Sequence, residues 1–188
     1  LPVVTRHLGG EARRLFTTEL SAPLLATPEL YGGKLVAAMD RQHPRDLFDV
    51  RGLFERGGLS PEVVECFVCY LAGHNRPVHE VLFSRDAEIS AAFANEFVGL
   101  TRNPVTLADL LQVRRKLKEE LPAVLTPNQR RFLLGLVAGE PDWGLMQCPH
   151  LSHLPAIRWK LQNLARLKKS NPHKFGQQTE ELRARFEG

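Results

Sequence analysis

Ionisable side chains are concentrated in one short stretch of the sequence, residues 30–50. If this stretch is helical, Lys34 and Arg41 are seven residues apart and lie on one face, two turns from each other. Asp46 and Asp49 are three apart and share a face of a following helix. A tight hairpin around Pro44 would therefore bring a pair of cations against a pair of carboxylates.

Two interpretations of this charge pattern remain open. In the first, Lys34 contacts a nucleotide phosphate while Asp46 or Asp49 organises that lysine or activates an attacking group. In the second, the charges form a buried network of ion pairs that orients two helices. Gly32 and Gly33 favour the first slightly, because two glycines inside a helix cost roughly 1 kcal/mol each against alanine. A close approach of a ligand or of another backbone would explain them.

The elements that must hold these residues are mostly helical. Thr27-Pro28 and Ser60-Pro61 each place a hydroxyl cap before a proline, and Pro44 permits a further helix start between them. Before Thr27 the sequence lacks helical periodicity. Short, weakly alternating segments at 13–20 and 22–26 predict one or two strands there. The predicted fold class is mainly α, a helical bundle with a short β element at the N-terminus.

Further helical signals divide the chain into three parts. Thr106 with Asp109 and Thr126 with Gln129 are spaced as capping boxes. Ile89, Phe93 and Phe97 fall on one helical face and are expected in the core. The predicted division is a β element at 1–26, a helical domain at 27–169 and a charged C-terminal tail at 170–188, as a peripheral helix or a partly disordered segment.

Composition limits the class of protein. The 188 residues are 43% hydrophobic, enough for one proper core, and carry a mildly basic net charge of +4. No run approaches the ~20 apolar residues of a membrane-spanning helix, so no membrane partner is expected. Three cysteines argue against a disulfide framework and indicate a cytoplasmic protein.

The segment ELYGGKLVAAMDRQHPRDLFDV, residues 29–50, resembles two motifs of the AbiEii family of bacterial nucleotidyltransferase-like toxins, K-L-x-A-A-x-x-R and R-D-x-x-D. The later strings FVCYLAGHNRPVHEVLF, GEPDW and LPAIRWKLQNL are also similar to the helical part of that family. The resemblance implies a catalytic set of Lys34, Asp46 and Asp49, with Lys34, Arg41 and Arg45 binding the nucleotide. It further implies Mg²⁺ and a nucleoside triphosphate for the complete protein, an AbiEi-type antitoxin, and tRNA or another RNA as partners.

The chain departs from the family pattern at its start. The family's first motif, a glycine turn followed by a D-x-D carboxylate pair, has no counterpart before Thr27. The sequence also opens on Leu1 without an initiator methionine. We therefore expect a C-terminal portion of a toxin that is inactive alone and holds no cofactor by itself. The alternative is a non-catalytic helical module that binds RNA or a partner protein.

Weaker patterns have simpler explanations. Cys66, Cys69, His74 and His79 are spaced nearly as in a zinc knuckle, but the residues between the cysteines continue a helix, which favours thiols in the core. A second cluster, C-P-H-L-S-H at 148–153, favours a surface loop. The basic stretch 114–118 favours a solvated helix face with Glu119 and Glu120 as partners over an RNA surface. Both tryptophans, Trp143 and Trp159, favour anchors of the core or of turns over platforms for a base.

Overall fold

The computed structural model describes residues 2–187, which form two strands and ten α-helices. In chain order these are β1 (Val4–His7), α1 (Gly10–Phe16), β2 (Ser21–Leu24), α2 (Thr27–Asp40), α3 (Pro44–Glu55), α4 (Pro61–Gly73), α5 (Val78–Leu82), α6 (Ser90–Glu96), α7 (Leu107–Ala123), α8 (Pro127–Val137), α9 (Pro155–Ser170) and α10 (Pro172–Glu187). Two 3-10 turns, Trp143–Leu145 and Leu151–His153, connect α8 to α9. The predicted fold class, mainly α with a short N-terminal β element, is confirmed.

The N-terminal element is a small β-α-β unit. β1 and β2 pair antiparallel, with Val4 opposite Leu24 and His7 opposite Ser21. The strand expected at 13–20 is wrong, because α1 occupies the first part of that range. Ala12, Leu15 and the two arginines between them are good helix formers. A short alternation of polar and apolar residues does not override their preference for a helix. The strand expected at 22–26 overlaps β2.

Local capping signals set most helix starts. The hydroxyl of Ser60 accepts a hydrogen bond from the backbone N–H of Val63 at the start of α4. Both predicted capping boxes are present, at Thr106 for α7 and at Thr126 for α8. Each box satisfies backbone donors that the first helical turn would otherwise leave free.

The core is one apolar cluster centred on the packing of α2 against α4. Leu35 and Met39 of α2 are fully buried, as are Phe67 and Leu71 of α4. A Cβ atom at Gly32 would lie 2.7 Å from the backbone of Cys66, so only glycine allows this close approach of the two helices. One of the two glycines singled out from the sequence thus has a packing explanation.

The C-terminal residues form helix α10, which packs against α9, α8 and α5. Leu182 of α10 is fully buried and Thr179 is nearly so, while the ring of Phe186 packs edge-on against Phe83. This helix therefore closes one side of the core. Within residues 2–187, no helix combines the length and the apolar character required to cross a membrane.

Candidate functional site

Helices α2 and α3 form the hairpin that carries the predicted site residues. The turn between them depends on Gln42, which has a positive φ of 54° although it is not glycine. Its buried amide donates to the carbonyl of Arg85 at 2.6 Å and accepts from the backbone N–H of Ala87 at 3.0 Å. Such a backbone conformation costs about 1–2 kcal/mol and persists where its surroundings enforce it. Gln42 was not singled out from the sequence.

Across this hairpin, each cation of α2 meets one carboxylate of α3. Lys34 Nζ lies 2.5 Å from Asp49 Oδ2, with the two side chains 33% and 39% exposed. Arg41 Nη2 lies 2.8 Å from Asp46 Oδ1. The expected contact between a cation pair and an acid pair is therefore present in the hairpin.

The two ion pairs occupy different levels of the hairpin. Lys34 and Arg41 are seven residues apart, which corresponds to about 10 Å along a helix axis. The pairs also differ in exposure, since the Arg41 side chain is 64% exposed whereas that of Asp46 is only 13% exposed. The site is thus a row of charges along one seam.

One carboxylate oxygen of the site is buried and forms no hydrogen bond with the described residues. The second carboxylate oxygen of Asp46, Oδ2, is buried, and no hydrogen-bond partner is found for it among the described residues. A buried acceptor left unpaired costs about 1–3 kcal/mol.

Arg45 and His43 belong to a different contact. Arg45 donates to the backbone carbonyl of Glu96 in α6 at 3.2 Å, and His43 Nε2 lies 3.2 Å from the carboxylate of the same residue. Of the five predicted site residues, four therefore form two ion pairs, Lys34 with Asp49 and Arg41 with Asp46. The fifth, Arg45, faces α6.

Asp40 joins the end of α2 to the segment that follows α4. Its carboxylate accepts a hydrogen bond of 2.5 Å from Arg76 and lies 3.4 Å from His74 Nε2. Burial lowers the pKa of His74, although the Asp40 carboxylate opposes that shift, and the same carboxylate raises the pKa of Arg76. Sequence spacing does not indicate the partners of Asp40, since they lie about 35 residues away along the chain.

The cysteines and histidines of the knuckle-like spacing have different partners, since the histidines pair with carboxylates whereas the cysteines lie in or against the core. Cys66 is buried, as expected of a thiol in the core, and burial raises the pKa of Cys69 well above its ordinary value. His79 pairs with Glu181 of α10 at 2.9 Å. Across residues 2–187 there is no group of three or more histidine, cysteine or carboxylate side chains arranged to hold a metal ion.

Most of the basic stretch on α7 is engaged in intramolecular contacts. Arg114 and Lys118 both bind Asp86, at 3.3 and 2.5 Å, and not the neighbouring glutamates that were expected. Lys116 pairs with Glu120 at 3.8 Å, as expected, and lies over the ring of Phe54. The contacts of Arg114 and Lys118 attach the loop between α5 and α6 to this helix.

The two tryptophans differ in their surroundings. Trp143 packs against Phe132 with a centroid distance of 6.0 Å, in agreement with an anchoring role. Trp159 is 57% exposed, so the expectation that it anchors the core or a turn is wrong. It lies beside the buried stripe of α9, which is formed by Ile157, Lys160 and Leu164.

Fold and site together define a mainly helical protein whose α2–α3 hairpin presents partly exposed cations held by carboxylates. The chain belongs to the AbiEii family, since residues 1–163 match the family described as nucleotidyl transferase AbiEii toxin of type IV toxin-antitoxin systems. The resemblance carried by residues 29–50 is thereby confirmed. Comparison with curated proteins and with solved structures gave no match.

Proposed function

We propose that this chain binds the phosphates of a nucleoside triphosphate through Lys34 and Arg41 and so takes part in nucleotide transfer by a type IV toxin. The observation that carries the proposal is the Lys34–Asp49 pair, which is short yet about one third exposed on both sides. A lysine in this setting is oriented by the carboxylate and remains accessible to a phosphate oxygen.

The arginine extends the same surface. Arg41 is 64% exposed although its guanidinium is bound to Asp46 at 2.8 Å. A guanidinium has five N–H donors, so one carboxylate contact leaves donors for a phosphate. A triphosphate lying along the hairpin would meet Lys34 at one level and Arg41 at the next, whereas Arg45 is drawn toward α6.

Of the two aspartates, Asp49 is the better candidate for contact with a reacting group. Its side chain is 39% exposed, against 13% for Asp46, whose free oxygen is buried. We assign to Asp49 the positioning of Lys34 and, once a phosphate engages the lysine, acceptance of a proton from the attacking hydroxyl. Asp46 holds Arg41 in place.

The described residues do not fit a Mg²⁺ cage. Two-metal nucleotidyl transfer needs carboxylates free to ligate, and both aspartates of α3 are neutralised by a cation at hydrogen-bonding distance. The metal-binding carboxylates that the family implies are therefore proposed to lie outside residues 2–187. An antitoxin and an RNA acceptor remain part of the proposal, on the strength of family membership alone.

Nucleotide transfer by the toxin with Lys34→Ala tests the proposal. Transfer is measured with each of the four labelled nucleoside triphosphates in turn. We expect its rate to fall at least about 100-fold, because one charged contact to the transferring group is lost. Growth arrest on expression should be lost in parallel. The far-ultraviolet circular dichroism spectrum should stay unchanged.

Lys118→Ala is the matched control, since Lys118 also binds a partly exposed carboxylate at 2.5 Å but lies in another part of the fold. The control should retain activity within about threefold of the wild type, as surface ion pairs contribute little to stability. Equal activity of the Lys34→Ala variant and this control would show that Lys34 is structural and would overturn the proposal.

A further inference from the structure

A cavity of about 270 Å³ lies between the end of α4 and helices α9 and α10. Its volume is close to the lower end of small-molecule sites, roughly 300–1,000 Å³, and suits a ligand the size of one nucleotide. The polar and aromatic residues in its wall that matter here are Asn75, Trp159, Lys160, Asn163, Lys174 and Gln178.

Lys160 places a cation at the inner wall of the cavity. Its ammonium donates to the backbone carbonyls of His74 and Arg76, at 2.7 and 2.5 Å, and so satisfies acceptors in the segment that follows α4. An ammonium has three donors, and these two bonds leave one for a ligand. Burial lowers the pKa of Lys160 to about 8, so at neutral pH the group is mostly charged.

Trp159 supplies an exposed aromatic surface beside that cation. The Trp159 side chain is 57% exposed. The guanidinium of Arg166, also on α9, lies 5.9 Å from the centroid of its ring. A large exposed indole next to cationic groups is the arrangement that stacks bases in single-stranded nucleic acid sites. The amides of Asn75, Asn163 and Gln178 add donors and acceptors for the edge of a base.

We propose that this cavity binds a nucleotide, with the base stacked on Trp159 and the phosphate held by Lys160 and Lys174. The nucleotide is either free or part of a single-stranded RNA, since both present the same base and phosphate. Glu80 also lines the cavity, but its carboxylate is bound by Arg76 at 3.2 Å, which reduces its repulsion of a phosphate.

The cavity adjoins the α2–α3 hairpin through the segment after α4. Arg76 binds Asp40, the neighbour of Arg41 in the sequence, and its carbonyl accepts from Lys160. The segment after α4 thus contacts both the cavity wall and the hairpin. Lys34 is not part of the cavity wall, so binding here does not depend on the proposed function.

The full chain should be titrated calorimetrically with AMP, with adenosine and with a single-stranded hexa-adenylate. We expect AMP to bind more tightly than adenosine, because only AMP engages the ammonium groups. The variant Trp159→Ala should weaken AMP binding about 10-fold through loss of stacking. Lys174→Ala should weaken AMP several-fold and leave adenosine unchanged.

Two variants serve as controls. Trp143→Phe alters the packed tryptophan, and Lys169→Ala removes a lysine at the end of α9 outside the cavity wall; both should bind AMP as the wild type does. Binding of the hexanucleotide alone, weakened by Trp159→Ala, would identify RNA as the source of the nucleotide. No binding of AMP or of the hexanucleotide would overturn the proposal, and so would equal affinities of Trp159→Ala and Trp143→Phe.

Discussion

At the scale of single residues, an ion pair holds two charges together whether or not it binds a ligand. Lys34 and Asp49 are each about one third exposed, so water and salt screen their attraction. Pairs of this kind contribute about 0–1 kcal/mol to stability. If Lys34 binds a ligand, activity should depend on the cation being on α2 and not only on the ion pair being formed. Exchange of the two residues tests this.

The exchange Lys34→Asp with Asp49→Lys restores an ion pair but moves the cation from α2 to α3. We expect the double variant to melt within about 3 °C of the wild type, since the charges still attract. If Lys34 binds a phosphate as proposed, nucleotide transfer should remain as low as in the single Lys34→Ala variant, because the ammonium has moved to α3. Restored transfer would indicate that the pair acts only by joining the helices.

Because the ammonium of Lys160 is buried, we expect the free energy of unfolding to depend on pH. Its pKa is about 8 in the folded protein and near 10.5 when unfolded, so between these pH values the unfolded chain binds more protons. Stability from this group therefore rises as the pH increases from about 8 to 10.5, by up to about 1.4 kcal/mol per pH unit.

This contribution is isolated by comparison with Lys160→Met, which lacks the titrating group. The free energy of unfolding of the wild type minus that of the variant should grow by about 2–3 kcal/mol between pH 7.5 and 10. Urea denaturation at several pH values gives both quantities, and titration of cysteines and tyrosines cancels in the difference. A difference that is constant with pH would mean that Lys160 is charged throughout this range.

At the scale of elements, the contact of α2 with α4 decides how the site helix is held. Gly32 faces the α4 backbone, where an added Cβ would come within 2.7 Å, whereas a Cβ at Gly33 would meet Tyr70 at an ordinary 3.6 Å. The two adjacent glycines thus have different roles. One permits close packing, and the other has room for a methyl group.

The variants Gly32→Ala and Gly33→Ala form a matched pair. We expect Gly32→Ala to destabilise the protein by about 1–3 kcal/mol, because α2 must move away from α4. Gly33→Ala should be neutral or stabilise by up to about 1 kcal/mol through helix propensity. Chemical denaturation distinguishes them, and equal effects would contradict the proposed packing difference.

At the scale of the whole molecule, the two ends of the chain contribute differently to the core. No side chain in residues 2–24 is buried, and Leu15 and Phe16 are 77% and 64% exposed. At the other end, Leu182 of α10 is fully buried and Glu181 pairs with His79. The charged C-terminal segment is therefore more important to the helical body than the apolar N-terminal element.

Truncation at each end tests this asymmetry. Removal of residues 1–24 should change the melting temperature by less than about 4 °C, since little apolar surface is lost from the core. Removal of residues 172–188 should lower it by about 10 °C or more, because loss of a buried leucine alone costs about 2–5 kcal/mol. Equal shifts, measured by circular dichroism, would show that α10 is not part of the cooperative unit.

The sequence alone was sufficient for features that depend on near neighbours. Hydroxyl caps located the starts of α4, α7 and α8, since a cap and its helix are only a few residues apart. The cap expected at Thr27 is wrong, because Ala26 is the N-cap residue of α2 and no side chain of the described residues caps that helix. The spacing of Lys34, Arg41, Asp46 and Asp49 predicted that two cations face two carboxylates across a hairpin, because helical periodicity fixes which side chains share a face. Which cation pairs with which carboxylate came from the structure. The motifs in residues 29–50 also identified the family.

Only the tertiary structure decided the contacts between distant segments. Gln42 holds the hairpin turn through residues 84–87, and Lys160 binds carbonyls of residues 74 and 76, with no local signal for either contact. The exposure of Trp159 and the burial of Leu182 likewise depend on which helices cover them. Local composition does not encode these partners, because packing of the whole chain determines which faces exclude water.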